Sequence, residues 1–285
     1  MADDQNRWIR RFRSAPDART QLVCLPHAGG AASYYRPMAL RLWPDVEVLA
    51  VQYPGRQNRA NEPCVENFAD LTDQVVAAVR PELDRPVALF GHSMGTLLAF
   101  EVAKRLEADG VVPVVLFASG RRAPGRPQPE PDHRASDDDL VAEIAELNGT
   151  EDRLLENEDM RPLFLLALRA DYRAIETYHH DPKSMVACPV VALTGDSDNR
   201  VSIDDAASWA TQTTGSFDLH VFPGDHFYLN HQLAPLTDVL VQQLGALRGD
   251  SVTSNIGTAA GGPGVWPPLT ASRSPVTNRP PGEAR

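Results

Sequence analysis

The chain has 285 residues, 42% hydrophobic and 23% charged, the make-up of a globular protein with room for one large domain or two small ones. Its formal net charge of −11 argues against non-specific attachment to nucleic acid or to an anionic membrane. The cysteines Cys24, Cys64 and Cys188 form no CxxC pair and fit neither a disulfide framework nor a zinc site, so free thiols and no metal are expected.

The N-terminal stretch MADDQNRWIRRFRSA lacks the apolar segment of a signal peptide. No apolar run approaches the roughly 20 residues that span a bilayer. A cytoplasmic protein is expected. From residue 21 onward, short apolar runs alternate with amphipathic helical patterns. Strands are predicted at 21–26, 46–53, 86–90, 112–118, 189–194 and 219–222, and helices at 68–83, 94–108 and 235–247. Several strands are apolar at nearly every residue, as parallel strands covered on both faces are. The fold class predicted is therefore α/β, a mostly parallel central sheet with helices on both faces.

Residues 121–185 break that rhythm. A Pro/Arg-rich stretch, RRAPGRPQPEPDHR, leads to a helix that begins at Ser136 with Asp139 three residues on and stops near Gly149. Leu140, Ile144 and Leu147 form its apolar stripe. A second helix is predicted over 160–178, carrying Leu163, Phe164, Leu166, Leu168, Tyr172, Ile175 and Tyr178. This reads as a helical lid inserted over the strand ends, the alternative being a pair of helices that only packs. The domain is expected to span 1–250. Residues 251–285, rich in Gly, Pro, Ser and Thr, read as a disordered tail in which Trp266 is the one large aromatic.

The segment VALFGHSMGTLLAFEVA, 87–103, reads strand, GHSMG, helix. That is the G-x-S-x-G nucleophile elbow of α/β-hydrolases in its proper context. Ser93 is the predicted nucleophile, on a strained turn flanked by Gly91 and Gly95. The helix that follows makes the Met94 N–H one oxyanion donor. A serine hydroxyl needs a base and the base an acid, in the chain order Ser, Asp or Glu, His. His226, in the loop after the last strand, is the predicted base. His179, His180, His220 and His231 lie elsewhere and read as solvated or satisfied residues. Asp196 and Asp198 both end a strand and compete as the acid, while Asp225 reads as a loop residue. The second oxyanion donor is assigned to Ala28, in the loop CLPHAGGAASYY after the first core strand. Gly29 and Gly30 there permit close backbone approach.

Five segments, LPHAGG (25–30), YPGR (53–56), FGHSMG (90–95), TGDSD (194–198) and GDHFYL (224–229), occur in the order found in type II thioesterases of polyketide and nonribosomal peptide pathways. The chain resembles that family from about residue 21 to 247. The resemblance implies hydrolysis of acyl thioesters on the phosphopantetheine arm of acyl or peptidyl carrier proteins, editing stalled or aberrant units. It maps a triad onto Ser93, Asp198 and His226, with Met94 and Ala28 as oxyanion donors. It implies no cofactor beyond the substrate's own phosphopantetheine, and a monomer as the working form. His27, Gly29, Tyr53 and Arg56 are candidates for lining the substrate site, with loop ordering the alternative for His27 and fold support that for Tyr53 and Arg56. Carrier proteins are commonly acidic, as is this chain, so docking calls for a local basic or apolar patch such as the insertion or 121–126. A general carboxylesterase or lipase, or a non-catalytic carrier-binding module, are the competing readings.

Overall fold

The computed structural model describes residues 7–126, 133–147, 157 and 159–247. The chain divides into a unit of Met1–Ser251 and one of Val252–Arg285. The expected tail and the expected helix stop at Gly149 lie outside the described residues. In chain order the elements are β1 (Ile9–Arg10), β2 (Thr20–Leu25), α1 (Arg36–Leu42), β3 (Val46–Val51), α2 (Phe68–Val79), β4 (Val87–His92) and α3 (Met94–Ala108). Then come β5 (Leu116–Ser119), α4 (Asp137–Glu146), α5 (Met160–Glu176), β6 (Val190–Gly195), α6 (Ile203–Ala207), β7 (Phe217–Phe222) and α7 (Leu233–Leu247). Among the described residues, no helix is long and apolar enough to cross a membrane.

The seven strands form one sheet in the order β1-β3-β2-β4-β5-β6-β7, parallel except for β1. Strand alternation explains why the central strands are apolar throughout. Leu22 and Cys24 of β2 pack with Phe90 on the face covered by α1 and α7. Val23 and Leu25 pack with Leu89 on the opposite face, beneath α2 and α3. Every residue of β2, β3 and β4 is buried. Each fully buried Leu or Val contributes roughly 1.5–3 kcal/mol.

Several elements differ from the sequence expectation, among them α6, which was not predicted. β1 is only two residues long and pairs antiparallel, Ile9 with Val51 and Arg10 with Ala50, within a basic stretch without strand periodicity. The run expected as a strand over 112–118 is β5, Leu116–Ser119, because Pro113 has no N–H for the ladder and Val112 is exposed. α1 starts with Pro37 in its first turn and was hidden by its short length.

The first helix of the insertion starts at its predicted cap. Ser136 Oγ accepts the Asp139 N–H at 3.1 Å, and three aspartates, Asp137 to Asp139, occupy the positive end of α4. In α5, Phe164, Leu168, Tyr172 and Ile175 are buried and join the core above β4 and α3. Leu163 and Leu166, expected on that stripe, face outward at 42% and 58% exposure, because they fall off the i, i+4 row that the buried residues follow.

Candidate active site

Ser93 occupies the single residue between the end of β4 and the start of α3. Its φ of 52° and ψ of −117° lie where side-chain-bearing residues are uncommon, so the surroundings must hold it there. The Ser93 N–H donates to the Ser119 carbonyl at 2.9 Å. Thr96 Oγ1 donates to the Gly91 and Ser119 carbonyls at 2.9 and 2.8 Å. Both flanking glycines are required by space. A Cβ at Gly91 would lie 2.2 Å from the Gly95 carbonyl oxygen, and one at Gly95 would lie 2.0 Å from that of Leu25. The elbow and the end of β2 are thus in backbone contact, which brings the loop after β2 alongside the N-terminus of α3.

That loop is held from several sides. Tyr35 and Tyr53 donate their hydroxyls to the Leu25 and Pro26 carbonyls at 2.7 and 3.1 Å. The Gly30 N–H returns to the His27 carbonyl at 3.0 Å, and Arg56 Nη1 donates to the Gly30 carbonyl at 3.1 Å. Gly29, at φ +75°, donates its N–H to Asp171 Oδ2 at 2.8 Å. The Ala28 and Met94 N–H groups have no protein acceptor among the described residues. The Met94 N–H belongs to the first turn of α3, where helix amides lack intrahelical acceptors, and Ala28 lines the same cavity as Ser93.

His226 is buried in the turn after β7, and its Nδ1 contacts Asp198 Oδ2 at 2.9 Å. The Asp198 carboxylate has no exposed surface, and its Oδ1 accepts the Arg200 and Val201 N–H groups at 2.8 and 3.1 Å. With its other oxygen already engaged, the carboxylate accepts a hydrogen bond from Nδ1–H, the tautomer that leaves the lone pair on Nε2. Asp196 faces elsewhere. It accepts the Gly224 N–H at 3.0 Å and the Ser197 hydroxyl at 2.9 Å, ties the two loops together, and is held below the usual carboxylate range chiefly by the Gly224 bond. Asp225 accepts the Phe227 N–H at 2.9 Å. Of the two competing aspartates, Asp198 is the one that meets His226.

Ser93, His226, His27 and Ala28 line one cavity of about 50 Å³, covered by Ile144 of α4 and by Tyr172 and Ile175 of α5. Arg200 and Glu143, paired at 2.6 Å, make its polar side. His27 packs edge-on against Tyr34 and Phe227, with ring centroids 4.7 and 4.9 Å away. Tyr53 does not line this cavity: it is wholly buried beneath the loop, because its hydroxyl is used to hold Pro26. Gly29 and Arg56 line a second, apolar cleft of about 600 Å³ on the other side of the loop, bounded by Tyr34, Gln57, Leu163 and Phe164. Among the described residues, no group of three or more His, Cys, Asp or Glu side chains could hold a metal ion.

Two features escape sequence reasoning. His92, the residue before the nucleophile, is fully buried with its ring 5.1 Å from that of His226. Its Nδ1 meets Ser119 Oγ at 3.0 Å, which in turn meets the Tyr228 hydroxyl at 2.7 Å. Burial, with His226 and His27 nearby, holds its pKa well below the ordinary histidine value. The second is Asp171 of α5, which forms a buried two-pronged ion pair with Arg56, at 2.6 Å to Nη1 and 2.8 Å to Nη2. The signal for it was an acid set on the apolar face of a helix, beside Leu168 and Tyr172.

Against known proteins, the model of the thioesterase domain family matches residues 20–243. The chain is 45% identical over 248 residues to the thioesterase PikA5 of Streptomyces venezuelae, covering 86% of this chain and 88% of that one. It is 33% identical over 241 residues to the gramicidin S biosynthesis protein GrsT of Aneurinibacillus migulanus, covering 84% and 94%. The solved structure of BorB, a type II thioesterase from the borrelidin biosynthetic cluster, matches with a TM-score of 0.76 at 44% identity, covering 83% of this chain and 97% of that one. The fold is that of the α/β-hydrolases, as the sequence led one to expect.

Proposed function

The chain belongs to the thioesterase domain family and is a thioester hydrolase; from that premise we propose that Ser93, His226 and Asp198 carry out the cleavage. The substrate in this reading is an acyl unit on the phosphopantetheine arm of an acyl or peptidyl carrier protein. The role is the release of stalled or aberrant units in a polyketide or nonribosomal peptide pathway. The observation that carries the mechanism is the 2.9 Å contact of a buried His226 with a fully engaged Asp198, facing the cavity that Ser93 enters. Support for the pathway comes from relatives: BorB is a type II thioesterase from a biosynthetic cluster, and GrsT is a gramicidin S biosynthesis protein.

His226 Nε2 takes the Ser93 proton as the hydroxyl oxygen attacks the thioester carbonyl. Asp198 stabilises the imidazolium that forms. The Ala28 and Met94 N–H groups receive the oxyanion, and losing one such donor costs about 10²–10³ in rate. The carbon–sulfur bond breaks, and the pantetheine thiol leaves with the proton from His226. Water, deprotonated by the same imidazole, then attacks acyl-Ser93 and releases a free acid. Each step in this scheme is assigned to the chain's own residues and water. At about 50 Å³ the cavity has space for only a few waters, and in this reading α4 and α5 form a lid that shifts to admit an acyl chain.

Intact-mass analysis after incubation with acyl-carrier substrates should show an acyl adduct that Ser93→Ala abolishes, together with at least a roughly 10³-fold loss of hydrolysis. Unchanged hydrolysis by Ser93→Ala would sink the nucleophile assignment. A strong preference for p-nitrophenyl esters over acyl-carrier protein would replace the carrier reading with that of a general carboxylesterase.

A further inference from the structure

Asp171 projects from the middle of α5 and is 1% exposed. Its Oδ2 accepts from the Gly29 N–H at 2.8 Å and from Arg56 Nη1 at 2.6 Å, while its Oδ1 accepts from Arg56 Nη2 at 2.8 Å. The same Nη1 donates to the Gly30 carbonyl at 3.1 Å. One helix of the insertion therefore grips the two residues that follow Ala28. Stability alone gives a weak reason for this arrangement. Removing two charges from water is costly, and replacing a buried ion pair by well-packed apolar side chains is often neutral or stabilising.

A carboxylate does something here that an apolar side chain cannot. By accepting the Gly29 N–H it fixes the plane of the Ala28–Gly29 peptide and turns that amide toward α5. Gly29 is then unavailable to a substrate oxygen, whereas the Ala28 N–H has no acceptor among the described residues. The φ of +75° at Gly29 makes this sharp reversal possible. Arg56 completes the clamp by neutralising the carboxylate and holding the next carbonyl.

We infer that Asp171 and Arg56 are positioning residues for hydrolysis: together they set the Ala28 oxyanion donor, so that seating α5 on the body of the enzyme and forming the oxyanion hole are one event. This rests on the proposed roles of Ser93 and Ala28. Neither Asp171 nor Arg56 touches the reacting atoms.

The test uses the full chain, an acyl-N-acetylcysteamine thioester as substrate, and a trifluoromethyl ketone analogue that forms a tetrahedral adduct with the nucleophile. Asp171→Leu is expected to lower kcat about 10²-fold with KM within about threefold, the cost of a misplaced donor. Affinity for the ketone should fall in parallel with kcat/KM. Asp171→Asn keeps an acceptor for Gly29 and should lose only about tenfold. It also carries the test should the leucine variant not fold. Values of kcat within about twofold of the parent would overturn the inference, as would a rise in KM alone or a fall in kcat with unchanged ketone affinity. Full activity in Ser93→Ala would instead remove the reading on which it stands.

Discussion

Both oxygens of Asp198 are occupied, one by two backbone N–H groups and one by His226. Asp198→Asn must set an amide N–H against one of those donors, which forces the wrong imidazole tautomer or breaks the turn. Measured at constant fold, kcat should fall by about 10³–10⁴. Asp196→Asn keeps an acceptor for the Gly224 N–H and should remain within about fivefold of the parent in the same assay. His92 makes a second prediction. Burial keeps it neutral in the folded protein, whereas in the unfolded chain it titrates near 6.5. Below that pH the unfolded chain takes up a proton that the folded protein refuses. Stability from this residue is therefore complete above 6.5 and declines as the pH falls, by up to about 1.4 kcal/mol per pH unit. In urea titrations, His92→Gln should flatten the decline between pH 6.5 and 5 relative to the parent. Ser93 and His226 were legible in the sequence because motif context and chain order single them out. Asp196 and Asp198 lie two residues apart on one turn, and which of them faces His226 is decided by backbone N–H groups that no side-chain pattern reveals. Asp171 was hidden for a related reason: a charged residue in a helix reads as solvated until its buried partner, 115 positions away, is known.

At the scale of elements, the elbow depends on two backbones passing without side chains. Gly95→Ala would place a methyl 2.0 Å from the Leu25 carbonyl oxygen, against backbone that cannot swing aside. The forced separation of α3 from β2 should cost about 1–3 kcal/mol in urea unfolding. It should also lower kcat at least about 10²-fold, because it moves the Met94 donor away from the Ala28 loop. A variant of unchanged stability and activity would show that the contact is slack. The central strands were readable because burial on both faces leaves continuous apolar runs, and α3 because it follows directly on the GHSMG turn. β1 was not, since two residues carry no periodicity. The shortening of β5 was signalled only by Pro113. In α5 the helix was evident but its facing was not, as Leu163 and Leu166 are as apolar as the residues that pack.

For the whole molecule, the question is how an acyl chain enters a site of this size. Glu143 of α4 pairs with Arg200 at 2.6 Å, two residues beyond Asp198, while α5 holds the loop after β2. The insertion is thus fastened to both halves of the proposed machinery. An acyl phosphonate that modifies Ser93 should displace it, and amide hydrogen exchange in α4 and α5 should rise while that in β4 and α3 stays low. Equal exchange before and after modification would rule out lid movement. The break in β/α rhythm over 121–185 revealed an insertion, but its closure depends on packing between residues distant in sequence.

The clamp between Asp171 and Arg56 also bears on enzyme engineering. The proposed nucleophile, acid and base come from the ends of β4, β6 and β7, whereas the cover comes from a separate stretch between β5 and β6. Such a layout invites chimeras in which one relative's cover is grafted onto another's body to change the acyl group accepted. The graft must carry a carboxylate that reaches Arg56 and the Gly29 amide. A transplant chosen only for the shape of its apolar face would arrive without the part that readies its host.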